Sequence, residues 1–402
     1  VQTPSAGGPY EISISDGEKV VLKDVLVGEV WFASGQSNME MPMNGYDSQP
    51  VRNSTEYIVN AKASRPLRIC NIEKQSSIAV KDSCGGAWGK NTPGIVANTS
   101  ATAYFFADAL QNALDVPVGV IVSSWGGSKI EAWLKEEVFE KEYPEVSLAH
   151  LRGERPVRRE FQDPCLLYNG QVAPLIPYTF KGIIWYQGEA NRREPDKYVS
   201  LQQSYVKMMR EDFRVPEAPF YCVQIAPYFY NDASKSLVGY FCEAQQKSVQ
   251  ETGHAGYVTT VDIGEYGVIH PARKQEVGRR LAWLALHNDY GMTAVEAVAP
   301  YYDSAVFHDG KGFVKMVVGD SGLSPKAADI PGFEIAGADR VFVPAIARRD
   351  EKQKDVVVVW SDDVPYPVAV RYCWRNWSEG GLYNNFGIPA GPFRTDGWPQ
   401  EK

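Results

Sequence analysis

The sequence predicts an α/β protein: a parallel sheet with helices on both faces, followed by a β-rich region. Three observations lead there. From residue 28, apolar runs of strand length recur at 29–34 ("EVWFAS"), 118–124 ("VGVIVSS"), 181–187 ("KGIIWYQ"), 219–226 ("PFYCVQIA") and 256–263 ("GYVTTVDI"). They lack a clean polar alternation, which suits strands buried on both faces. Helical periodicity fills the gaps at 100–114, 195–213 and 272–288. Strand and helix in repeated alternation make a parallel sheet covered on both sides. After about residue 290, short β runs such as "FVKMVVGD", "GFEIAG" and "DVVVVWSDD" are separated by Gly, Asp and Pro, with no helical pattern. That composition predicts a sandwich or barrel-like module.

The elements justify themselves in order. "YEISIS" and "VVLKDVLV" alternate around Asp16-Gly17, a strong hairpin signal. The 100–114 helix follows a Ser/Thr/Asn cap region, the 195–213 helix begins with Pro195, and Pro271 suits the first turn of the 272–288 helix. The expected organisation is a partial N-terminal β region (1–27), an α/β domain (28–289), and a β-rich domain (290–402) whose last segment packs back on the core. No internal repeat or low-complexity tract interrupts it.

Composition narrows the function. The chain has 402 residues, enough for more than one domain, and its 41 Lys and Arg against 49 Asp and Glu give a net charge of −8. No basic stripe is present, which argues against nucleic acid as a partner. No apolar run approaches the ~18 residues that span a bilayer. Of the six cysteines, none lies in a C-x-x-C pair or beside a His at ligand spacing, so a zinc site is poorly supported; no cofactor is expected. Cys70–Cys84 and Cys222–Cys242 are the nearest disulfide candidates, set against six free thiols.

In an open α/β sheet, function gathers at the carboxyl ends of the strands. There the sequence places "SGQSNM" (34–39), "SSWGGS" (123–128), "WYQGEAN" (185–191), and "DIGE" (262–265) followed by "IHP" (269–271). These segments bring a Ser, a Gly pair, an amide cluster and a His to strand ends. A Ser hydroxyl needs a base to become a nucleophile, and His is suited to that near neutral pH. A tetrahedral oxyanion needs converging donors. Backbone N–H groups at Ser37 and at Gly126 or Gly127, plus a side-chain amide, can supply them. The lipase-type G-x-S-x-G elbow is absent, as are an H-E-x-x-H helix and a phosphate-binding P-loop.

The segments "GEVWFASGQSNMEMPM", "SSWGGSKIEAWL", "IIWYQGEAN" and "IHPARKQEVGRRLA", with "AGGPYEISI" before them and "GFEIAGADRVFVPA" and "GLYNNFGIPAGPFRTDGW" after, resemble the sialate O-acetylesterase family of SGNH-type hydrolases. The resemblance runs along nearly the whole chain. It implies a flavodoxin-like α/β/α three-layer sheet with flanking β-rich regions, and a metal-free serine esterase. It makes Ser37 the nucleophile and His270 its base, with Gly126 or Gly127 as the oxyanion glycine and Gln187 or Asn191 as the amide donor. Gln36, Trp125 and Glu189 are candidates for substrate contact. The expected partner is an O-acetylated sugar or glycan, 9-O-acetyl sialic acid first and acetylated xylan second, and the expected location is periplasmic or secreted.

Two departures stand out. Many superfamily members carry an acid three residues before the His, where this chain has Gly267. Asp262, Glu265 and Glu243 are the replacement candidates, as is a backbone carbonyl in a Ser–His dyad. Gly267 also favours the rival reading of a carbohydrate-binding protein on a hydrolase fold. Val1 falls inside what resembles the family's N-terminal β region, so that region is expected to be incomplete. Taken singly, Ser37 would be a turn serine, Trp125 a packing residue, and Arg273 and Lys274 a solvated face or a helix start beside a sugar carboxylate. His150, His254, His287 and His308 read as surface or packing residues.

Overall fold

The structure, a computed structural model, describes residues 3–400. The Asp16-Gly17 turn joins β1 (Gly7–Ser15) and β2 (Lys19–Val27) in an antiparallel hairpin. The α/β part then runs β3 (Glu29–Gly35), α1 (Ser37–Glu40), α2 (Ser54–Val59), β4 (Leu67–Asn71), β5 (Trp88–Lys90), α3 (Pro93–Ala97), α4 (Ala101–Leu114), β6 (Val118–Ser124) and α5 (Glu136–Glu142). It continues with β7 (Gly182–Tyr186), α6 (Pro195–Asp212), β8 (Phe220–Val223), α7 (Leu237–Gln250), β9 (Ala255–Val258) and α8 (Lys274–Asp289). One seven-stranded sheet has the order β5-β4-β6-β3-β7-β8-β9. β3 and β4 each pair with β6 in parallel, and β5 closes that edge antiparallel to β4. The expected α/β sheet is present, but it is mostly rather than wholly parallel, with β5 as an antiparallel edge. Its order reverses around β3, which has β6 on one side and β7 on the other. Such switch points are where open α/β sheets bind ligands.

By compactness the chain divides into two units. The first takes the chain up to Trp185 together with Ser204–Phe220 and Ala272–Ala282; the second takes Tyr186–Gln203, Tyr221–Pro271 and the chain from Trp283 onward.

In the first unit every residue of β6 is buried, and Trp31 and Phe32 of β3 are fully so. That double-sided burial is why these strands read as continuous apolar runs. Trp31 meets Phe106 of α4 edge-on at 4.9 Å, and Trp185 packs on Tyr205 at 4.4 Å. The Ser100 hydroxyl caps α4 by accepting the Ala103 N–H at 3.0 Å. The residues of α8 in this unit cross α4 closely: a Cβ on Gly278 would stand 2.6 Å from Phe105 Cβ and 2.7 Å from the Phe106 nitrogen. α8 starts at Lys274, so Pro271 precedes the helix and does not form its first turn as the sequence suggested.

In the second unit the chain after 290 forms β10 (Tyr301–His308), β11 (Lys311–Val317), β12 (Leu323–Ser324), β13 (Phe333–Ala336), β14 (Val343–Pro344), β15 (Ile346–Arg349), β16 (Val356–Trp360), β17 (Ala369–Tyr372), β18 (Tyr383–Asn384) and β19 (Phe393–Arg394). Two antiparallel four-stranded sheets, β10-β11-β16-β15 and β14-β13-β17-β19, enclose one buried cluster. Val314, Val357 and Val359 enter it from the first sheet and Phe333, Val370 and Tyr372 from the second. Arg371 of β17 is paired with Asp396 at 2.9 and 3.0 Å, with side-chain exposures of 4% and 2%.

All six cysteines are free thiols, so neither candidate disulfide forms. Only Cys84 is not buried. Burial pushes the Cys70 thiol up to about 11 and the Cys222 and Cys373 thiols up to about 12. The thiolate is the reactive form.

Two outcomes follow. At pH 8 a disulfide-exchange reagent should titrate at most one thiol in the native protein, Cys84, and six after denaturation; two or more rapidly reacting native thiols would contradict the burial. Asp396→Ala, which strands a buried guanidinium, should cost about 3–5 kcal/mol in urea unfolding.

Candidate active site

The loop after β3 turns at Gln36, whose carbonyl accepts the N–H groups of Met39 and Glu40 at 2.9 Å each. This starts the single-turn α1 with Ser37 as its first residue. Gln36 is 3% exposed and Asn38 fully buried, whereas Ser37 is half-buried. The loop thus hides its amides and leaves the serine reachable. The carbonyl of Ser37 accepts from the Met41 N–H at 2.8 Å and the Tyr46 hydroxyl at 3.1 Å.

The turn after β6 lies beside it in the same unit. Gly35 and Ser124 are register partners, and the Trp125 N–H donates to the Gly35 carbonyl at 3.1 Å. A Cβ placed on Gly126 would stand 3.5 Å from the Ser37 Cβ. Gly127 has φ +74°, a left-handed conformation that glycine adopts freely, and a Cβ there would meet Phe161 at 3.1 Å. Gln162 fixes the turn by donating to the Gly127 carbonyl at 2.9 Å. The Trp125 ring stacks on Phe161 at 6.4 Å, with the Lys74 ammonium 5.7 Å from its centroid.

The two glycines are not equivalent. The Gly126 N–H donates to the Glu40 carboxylate. Among the described residues, the N–H groups of Gly127 and Ser37 donate to no protein acceptor. Glu40 also accepts from Lys74 at 2.9 Å and from Tyr46 at 3.3 Å. Burial, then the Glu40 charge, holds the Tyr46 phenol far above its usual range.

Lys274 is fully buried and donates to Asn38 Oδ1 at 2.5 Å. It is therefore no part of a solvated face. It ties the start of α8, four residues after His270, to the residue next to Ser37. Arg273 pairs with Glu276 at 2.9 Å.

In the second unit, the segment after β7 buries Gln187, Glu189 and Asn191. The Gln187 amide donates to Asn191 Oδ1 at 2.8 Å, and its own Oε1 accepts from Tyr198 at 2.9 Å. The Asn191 side chain is thereby held with its carbonyl on Gln187. Arg192 donates to the Glu189 carbonyl at 2.7 Å and lies 4.6 Å from the centre of the Tyr230 ring. Burial first, and the Glu189 charge second, raises the phenols of Tyr186 and Tyr230. His270, Asp262 and Glu265 belong to this unit and are half-buried. Glu243 lies on α7, where Arg394 takes both its oxygens at 2.9 and 2.8 Å. His150, fully interior, bonds the Pro164 carbonyl at 2.9 Å, a packing role.

With this geometry in view, the comparisons decide the family. The description "carbohydrate esterase, sialic acid-specific acetylesterase" matches residues 27–286. The chain belongs to that family. It is thus an enzyme of the carboxylic ester hydrolase class, and its family chemistry is the deacetylation of carbohydrate. It is 28% identical to human sialate O-acetylesterase over 96% of this chain and 79% of that protein. The mouse sialate O-acetylesterase is 25% identical, over 96% and 82%. The crystal structure of a carbohydrate acetylesterase from Xanthomonas citri is 34% identical, covering 99% of this chain and 88% of that one, with a TM-score of 0.88.

Sequence reasoning named Gln36, Ser37, Trp125 and the glycines but passed over Asn38, Glu40, Tyr46 and Lys74. Asn38 and Glu40 lie within three residues of Ser37, but nothing in the local sequence links them to their partners at 274, 74 and 126. Replacing Asn38 by Leu removes an acceptor from a buried ammonium and should cost about 2 kcal/mol or more in chemical unfolding. An unchanged midpoint would mean Lys274 does not depend on Asn38.

Proposed function

We propose that the protein hydrolyses O-acetyl esters of sugars by a serine mechanism, with 9-O-acetylated sialic acid as the first substrate. The observation that carries this reading is Ser37, half-buried at the end of central strand β3 and flanked by the Gly126–Gly127 turn. The order of the motifs that follow, ending in His270, supports it. His270 takes the proton from Ser37 Oγ as that oxygen attacks the acetyl carbonyl. The oxyanion is met by the N–H groups of Ser37 and Gly127 and by the Asn191 amide. Of the two side-chain amides, Asn191 is preferred because Gln187 is spent on Asn191 and Tyr198. His270 returns the proton to the sugar oxygen as the C–O bond breaks. Water, deprotonated by the same imidazole, then attacks the acyl-serine and releases acetate, restoring Ser37.

With Glu243 engaged by Arg394, the carboxylates left to orient His270 are Asp262 and Glu265; failing both, a backbone carbonyl serves in a dyad. The sialate substrate is suggested by the names of the human and mouse relatives. A second reading, acetylated xylan or another polysaccharide, is favoured by the higher identity to an enzyme named only for carbohydrate. Action on such glycans suits a periplasmic or secreted enzyme. Among the described residues no helix is long and apolar enough to cross a membrane.

The test is acetate release from O-acetylated sialic acid and from acetylated xylan, with fluorophosphonate labelling. Ser37→Ala should lose activity by about 10³-fold or more and abolish labelling. Asn191→Ala should lower kcat by about 10²–10³-fold, as loss of an oxyanion donor does. A label on another residue, or full activity without Ser37, would overturn the mechanism.

A further inference from the structure

The inference drawn here rests on Ser37 as nucleophile and on a backbone oxyanion donor in the Gly126–Gly127 turn. Glu40 has no part in that chemistry as described, yet its carboxylate occupies the centre of the turn's contacts within the first unit. One oxygen accepts the Gly126 N–H. The other accepts the Lys74 ammonium at 2.9 Å and the Tyr46 hydroxyl at 3.3 Å. The same hydroxyl lies 3.1 Å from the Ser37 carbonyl. A single carboxylate therefore ties the nucleophile's helical turn, the glycine turn and the Lys74 loop together.

Two consequences follow from the chemistry. The Gly126 N–H is spent on Glu40, so the peptide orientation of the turn is set and Gly127 is left as the donor. A bare carboxylate beside a developing oxyanion would repel it, since like charges in a partly desolvated site interact strongly. Lys74, bonded to the far oxygen, cancels that charge while the near oxygen keeps its grip on Gly126. We propose that Glu40 and Lys74 form a charge-compensated clamp that fixes the Gly126–Gly127 turn against Ser37, so that the Gly127 N–H meets the oxyanion. Both are positioning residues.

The full-length enzyme tests this with Lys74→Met, Glu40→Gln, the double variant and Glu40→Ala. The readouts are kcat, KM and the inhibition constant of methylboronic acid, whose tetrahedral serine adduct imitates the transition state. Lys74→Met leaves the carboxylate uncompensated. It should lower kcat by about 10-fold or more and weaken the boronate by a similar factor, with KM moved less than about 3-fold. Glu40→Gln keeps an acceptor oxygen and loses the charge, so it should stay within about 5-fold of wild type. The double variant should recover toward Glu40→Gln, because the repulsive charge is gone. A merely structural role would not produce that recovery. Glu40→Ala, without the acceptor, should fall below Glu40→Gln. Wild-type kcat in Lys74→Met, a double variant no better than Lys74→Met, or a loss carried by KM would each overturn the clamp. The Lys74 side chain is 46% exposed, so its variant tests the idea even where Glu40→Ala fails to fold. Fluorophosphonate labelling of wild-type Ser37 separates the two levels: without it the nucleophile assignment falls, and with it a negative result falls on the clamp alone.

Discussion

The parallel register of β3 on β6 is the constraint on which the rest of the candidate site depends. Glu29 stands opposite Val118, and the pairing holds without a slip to Gly35 opposite Ser124. Both strands therefore leave the sheet at the same level, and the two loops that follow are neighbours from their first residue. The Trp125 N–H bonded to the Gly35 carbonyl extends that pairing one step past the strands. Trp31 and Phe32 are fully buried on opposite faces, so a shift of one residue would exchange those faces and break the packing of Trp31 on Phe106 and of Phe32 on Phe180. The apolar cost of misregister is thus what holds Ser37 beside Gly126.

Beyond the strand ends, burial of polar groups takes over from apolar packing. Asn38 and Lys274 are a fully buried pair, and the partly buried Glu40 is met by Gly126, Tyr46 and the exposed Lys74; Asn38, Lys274 and Glu40 are the groups that need these partners. Each would be costly to bury alone. Their partners come from loops and helices far along the chain, so satisfying them fixes those loops relative to the serine. The same logic recurs in the second unit, where Gln187 is anchored by Tyr198 and in turn orients Asn191. Preorganisation of this kind lets donors face a developing charge without rearrangement during the reaction.

Much of this was legible in the sequence because it is local. β3 and β6 announce themselves as unbroken apolar runs, the Asp16-Gly17 hairpin by its turn, and the serine and glycine segments by their place after strands. Other elements were hidden for physical reasons. β4 is five residues with Arg68 inside it, and β5 is three residues at an edge, too short for periodicity to register. α7 mixes an apolar start with a Gln- and Ser-rich end and includes Gly239, which blurs its helical pattern. The roles of Glu40 and Lys274 were hidden for a different reason. A carboxylate or an ammonium reads as a surface group until its distant partner is known, and no spacing rule links residue 40 to 126 or 38 to 274.

The departure at Gly267 fits this division between local and distant determinants. Gly267 is exposed, and a Cβ built there meets no atom within 4 Å, so the missing acid was not traded for a packing need. The turn around it is closed by backbone, with the Val268 N–H on the Glu265 carbonyl at 3.2 Å. Orientation of an imidazole requires an acceptor with the right geometry, not an acid at one sequence position. A fold that ties its other site groups through distant partners can supply that acceptor from elsewhere, which is why a glycine at 267 does not by itself argue for a dead enzyme.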